Sequence, residues 1–119
     1  LDGLILNTDR HMGNFGVLFD TKTMEIQKMA PVFDHNRSLL FDLDADQLRN
    51  MDFCLRRCSP RLGTDFLATA RGMLTPDIRQ DLETLRGFRF AQHPVLPIVQ
   101  DRLDGLNAIV QHQLECILA

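Results

Sequence analysis

The chain contains no Trp and no Tyr, only two lysines (Lys22 and Lys28) and only three cysteines among its 119 residues. The missing Trp and Tyr exclude little, since eight Phe supply aromatic bulk. Three Cys cannot all pair, and no secretory leader pattern is visible, so reduced thiols and a cytoplasmic setting are expected. No stretch approaches the roughly 18 uninterrupted apolar residues of a membrane-spanning helix. Neither sign of charge dominates: the net value is -3, which gives no electrostatic case for direct binding of nucleic acid or an anionic membrane. The charge is unevenly spread, with eight Arg against five acids over residues 49–89 and five bases against eleven acids elsewhere. At 45% hydrophobic and 24% charged, residues 1–119 read as one domain able to bury a core.

The expected layout is a loop and hairpin followed by a helical body, an α+β, mostly α fold. Leu1–Leu6 resembles the tail of a buried helix whose beginning is cut away. Asn7 to Asn14 is too rich in turn formers for a regular element. Two β-prone runs, Phe15–Phe19 and Met24–Met29, flank a four-residue connection at 20–23 and predict a hairpin ended by Pro31. The aspartates at 42, 44 and 46 are expected to cap or precede a short helix through Met51–Leu55. Residues 59–63 read as a loop, and Thr64 or Asp65 as the cap of a helix bearing Phe66, Ala70 and Met73 on one face. Thr75-Pro76 predicts another helix start, with Ile78, Leu82 and Leu85 at helical spacing and Gly87 as its stop. Phe88–His93 is ambiguous. A final helix is expected from about Pro94–Pro97 to Leu118, with a stripe of Val99, Leu103, Leu106, Val110, Leu114 and Ile117.

Chemistry concentrates in residues 7–37. Asp9 and Asn14 lie five positions apart in a loop, and a hairpin would return the chain so that Asp34 comes alongside. Two carboxylates and a carboxamide make an all-oxygen site, suited to a hard cation such as Mg²⁺ that keeps water and phosphate as its other ligands. A softer metal would want several Cys or His, and this segment offers only His11 and His35. Cys54 and Cys58, at i and i+4, lack a second pair and are expected to be buried thiols rather than a zinc site. Arg56, Arg57 and Arg61 are expected to form a solvated helix end, with engagement of an acidic partner, RNA or phosphate as the alternative. His93 and His112 have no recognisable company.

The segment Asn7, Asp9, His11, Asn14, Phe15 resembles the Asn-x-Asp-x-His-x-x-Asn-Phe loop of HipA-type kinases, bacterial serine/threonine kinases named for a toxin–antitoxin toxin. Met29-Ala30-Pro31-Val32-Phe33-Asp34 is similar to their second signature, Leu-Ala-Pro-x-Tyr-Asp. The resemblance is specific over residues 4–37 and vague over 38–119. It implies a protein-kinase-like C-terminal lobe, with 7–37 as catalytic loop and metal-binding segment and 38–119 as helical body. It implies Asp9 as the group that takes the acceptor's proton, His11 as a contact to the γ-phosphate or a brace of the loop, and Asn14 and Asp34 as ligands of the Mg²⁺ that accompanies ATP. It also implies a protein Ser/Thr substrate and an antitoxin-like partner. The order Asp9 then His11 differs from the His-Arg-Asp of ordinary protein kinases, and Asp-Arg-His-x-x-Asn is similar to the loop of phosphoinositide kinases, which leaves a lipid or small-molecule acceptor open.

A kinase also needs a Gly-rich loop over the phosphates and a strand Lys paired with a helix Glu. Both lysines here lie downstream of Asp9, so the chain is expected to lack the N-terminal lobe and, by itself, most kinase activity. A kinase-shaped regulatory module without catalysis is the alternative from a different class. A metal-dependent hydrolase using Asp9, His11 and Asp34 would lack a further well-spaced ligand. Arg10 is expected to be a structural ion-pair partner. Asn36 and Arg37 are expected in either a solvated turn or the start of a substrate segment.

Overall fold

In the computed structural model, which describes residues 1–61 and 65–119, the C-terminal apolar stripe becomes the spine of an α+β, mostly helical domain. The last helix, α5, runs Gln100–Leu118 and buries Leu103, Leu106, Ile109, Val110, Leu114, Ile117 and Leu118. It begins at Gln100 rather than within Pro94–Pro97, and Pro97 biases the preceding Leu96 away from helical geometry. Val99 therefore sits at the N-cap, 68% exposed, and drops out of the stripe. No helix among the described residues is long and apolar enough to cross a membrane.

Four short helices surround this spine. α1 (Asp2–Ile5) buries Gly3 and Leu4 and stops where Leu6 turns left-handed. The fully buried Gln113 amide donates to the Gly3 carbonyl at 2.9 Å, locking α1 onto α5. α2 (Met51–Arg57) is capped by the Asn50 side chain, which accepts from the Phe53 N–H. The acidic run thus precedes α2 without capping it: Asp44 instead exchanges reciprocal bonds with Gln47 at a 3-10 turn spanning Gln47–Arg49. α3 (Phe66–Gly72) is capped by Asp65, while the alternative cap Thr64 lies outside the described residues, as does the end of the expected 59–63 loop. α4 (Pro76–Glu83) starts as expected, with the Thr75 hydroxyl accepting from the Ile78 N–H. Met73 lies past the end of α3 at 70% exposure, off the face proposed for it.

Two clusters form the core. Leu6, Leu40, Leu43, Leu48, Cys54, Cys58, Leu106 and Ile109 make one, and Leu4, Val110, Leu114, Ile117 and Leu118 the other. Cys54 in α2 and Cys58 at its C-cap are both buried in the first, and burial pushes both thiols up in pKa, so they stay protonated packing groups. The ambiguous stretch 88–93 is irregular and is tied to α5 by side chains: Asn107 accepts from the Phe90 N–H at 2.7 Å, and Gln111 donates to the Leu85 and Phe88 carbonyls. Gly105 lets the 3-10 turn approach α5. A Cβ there would lie 2.8 Å from the Leu48 Cβ, so Gly105→Ala should destabilise the domain by about 1–3 kcal/mol, read as a lower urea midpoint with unchanged m-value.

The hairpin pairs β1 (Val17–Phe19) antiparallel to β2 (Ile26–Met29), with Val17 opposite Met29, Leu18 opposite Lys28 and an irregularity before Phe19. Its strands are shorter and its connection longer than expected, because Asp20 accepts from the Lys22 and Thr23 N–H groups and draws both sides into the turn. Every strand residue is exposed, so the ribbon projects from the helical body and serves to return the chain toward the 7–14 loop.

Candidate active site

The loop after α1 is built from short polar staples. Asn7 is fully buried: its amide donates to Asp2 at 3.2 Å and its carbonyl accepts from the Asp9 N–H at 3.0 Å. The Thr8 N–H and hydroxyl both donate to the Arg37 carbonyl. A single 3-10 turn, Met12–Asn14, then carries Asn14 inward.

Arg10 holds the site together. Its side chain is 2% exposed, and its guanidinium grips both oxygens of Asp2 at 2.8 and 2.9 Å. The remaining donors reach the Phe33 carbonyl at 2.6 Å, the Asn14 carbonyl at 3.4 Å and His35 Nδ1 at 3.0 Å. An Arg has only donors, so His35 Nδ1 is the acceptor and its proton sits on Nε2. The bidentate pairing holds the Asp2 carboxyl below, and the Arg10 guanidinium above, its ordinary range. Arg10 is thus a structural ion-pair partner, as expected. Asp2 was not singled out from the sequence; the available signal was a lone carboxylate within an apolar run, eight residues before an Arg.

Through Arg10, the residues on either side of Asp34 are fastened to the loop that bears Asp9 and Asn14. Asp34 itself is exposed with φ 58°, a left-handed conformation that Asp tolerates better than most residues and that often accompanies functional sites. Its charge also helps to hold Arg10 in the protonated form. Asn14, 5% exposed, donates its amide to the Asp9 carbonyl at 3.1 Å, which turns its side-chain oxygen the other way. The half-exposed Asp9 carboxylate faces Arg37 Nε across 3.6 Å.

His11 is exposed, and its Nδ1 accepts from the Gly13 N–H at 3.1 Å. The ring proton is then on Nε2, directed away from that bond. Gly13 is required for this contact, since a Cβ would come within 2.9 Å of the imidazole. His11 therefore braces the loop and keeps one donor free.

No protein-family profile, curated protein or solved structure matches the chain. Its chemistry rests on its own residues. Asn14 and Asp34 each offer a side-chain oxygen, the donor type Mg²⁺ takes, and that ion keeps several waters beside one or two protein oxygens. Among the described residues, no three His, Cys, Asp or Glu side chains gather where they could hold a metal. His93 caps a bend by accepting from the Val95 and Leu96 N–H groups, and His112 contacts Cys116 at 3.5 Å. Neither is near the loop in sequence or bonding.

Proposed function

We propose that residues 7–37 form the acceptor-activating and metal-binding half of a phosphoryl-transfer site, in the C-terminal lobe of a HipA-like, ATP- and Mg²⁺-dependent kinase acting on a protein hydroxyl. The observation that carries this reading is the Arg10 clamp, which joins the Asp9–Asn14 loop to the Phe33 carbonyl and the His35 imidazole on either side of Asp34. The motif resemblance and the left-handed Asp34 support it.

In this reading the Asp9 carboxylate accepts the proton of an incoming Ser or Thr hydroxyl, and Arg37 fixes its orientation. The Asn14 side-chain oxygen and the Asp34 carboxylate would hold Mg²⁺, whose contribution is to neutralise charge on the phosphate oxygens. The free Nε2–H of His11 is available to a γ-phosphate oxygen. None of these groups clamps the nucleotide's β- and α-phosphates, and both lysines of the 119 residues, Lys22 and Lys28, follow Asp9. Titration calorimetry of the 119-residue chain with Mg-ATP should accordingly show binding no tighter than about millimolar and no turnover. Micromolar binding accompanied by turnover would contradict the division of labour proposed here.

A further inference from the structure

Asp9 lines a polar cleft of about 250 Å³ that the loop motif does not account for. Arg37, Arg57 and Arg61 converge on it, with Asp42 and Cys58 in its wall. Arg57 donates one nitrogen to Asp42 at 3.1 Å, and Arg37 faces Asp9 across 3.6 Å. Each guanidinium carries five N–H donors, and among the described residues these pairings orient Arg37 and Arg57 while using a minority of their donors. Arg37 also lies over the Phe41 ring at 5.8 Å, which fixes its plane. Three Arg against two Asp leave the lining with one net positive charge.

We propose that this cleft binds a single carboxylate of the phosphoryl acceptor, so that the enzyme selects a Ser or Thr with an Asp or Glu close by in an acidic peptide. This deepens the phosphoryl-transfer reading and rests on it. One net charge suits a carboxylate better than a doubly charged phosphate, and a chain of net charge -3 is poorly suited to a polyanionic lipid surface. Anchoring the acidic side chain beside Asp9 would bring the neighbouring hydroxyl to the residue that takes its proton.

The test uses the isotope-labelled 119-residue chain in NMR titrations. Its ligands are two Ser peptides, identical except for Asp or Asn beside the Ser, and vesicles containing an anionic phosphoinositide. The Asp peptide should bind about tenfold more tightly than the Asn peptide, shifting the Arg37, Arg57 and Arg61 side-chain signals. Arg57→Gln with Arg61→Gln should erase that preference, as should Arg37→Gln alone; all three residues are exposed and their loss should leave the fold intact. Equal binding of the two peptides, an unchanged preference in both variants, or vesicle binding in place of peptide binding would overturn the proposal. Mn²⁺ added to the same samples reports on Asn14 and Asp34 separately. Broadening there without an acidic preference would sink the cleft alone, whereas an acidic preference without broadening would sink the phosphoryl-transfer reading on which the acceptor assignment depends.

Discussion

Asp34→Asn is expected to lower phosphoryl transfer on the order of 10³-fold in an assembly that supplies the nucleotide-clamping lobe. The substitution keeps the shape of the side chain and removes its charge, so a metal held by Asn14 and Asp34 would lose its one anionic protein ligand. Asp34 is exposed and among the described residues its side chain makes no hydrogen bond or ion pair, so thermal stability should hardly change. Asp9→Asn should be equally silent structurally and should cost roughly 10²–10⁴-fold in rate, the range for removing a general base. The two variants separate on binding: Asp34→Asn should weaken metal-dependent nucleotide binding, and Asp9→Asn should leave it nearly intact. Wild-type transfer rates in both would remove the assigned roles.

Arg10→Met should have the opposite character, a large loss of stability. The change leaves Asp2, 13% exposed, as a part-buried carboxylate without its cation, and it strips the Phe33 carbonyl of its donor. Breaking a fully buried pair from one side costs about 3–5 kcal/mol, so the loss here should come near the lower end of that range, still a large share of the stability of a small domain. Adding Asp2→Asn should restore part of the loss, because the stranded charge goes with it. The pair also fixes the sign of an acid effect. Asp2 lies below its ordinary value of 3.8 in the folded chain, so its contribution is complete above that value and is lost as pH falls through the lower folded one. Urea midpoints measured from pH 6 downward should therefore fall below about pH 4 by more in the wild type than in Asp2→Asn.

Much of this architecture is readable from residue pattern alone because it depends on local spacing. The stripe from Leu103 to Ile117, the Thr75-Pro76 start, the hairpin and the burial of Cys54 and Cys58 each follow from periodicity or from one side chain's chemistry. What escaped detection depends on partners distant in sequence or on competition between equivalent groups. Several aspartates could cap α2, and Asn50, lying closer to its first turn, took that place. The Asp2–Arg10 pair spans the end of α1, and the reach of Arg10 to Phe33 spans the whole hairpin. The arginine cleft joins the 7–37 segment to α2 and the residues after it, a juxtaposition that no spacing rule contains. In residues 7–37, the residue types of Asp9, His11, Asn14 and Asp34 are legible in sequence, whereas the Arg10 clamp onto Asp2, Asn14, Phe33 and His35 is visible only in three dimensions.

The most direct test of the central claim is paramagnetic broadening of the labelled chain by substoichiometric Mn²⁺, compared between wild type and Asp34→Asn. Selective loss of the Asn14 and Asp34 signals and their immediate neighbours is expected in the wild type, with their recovery in the variant. Broadening centred instead on the acidic run at Asp42, Asp44 and Asp46, with the Asn14 and Asp34 signals remaining sharp, would contradict it.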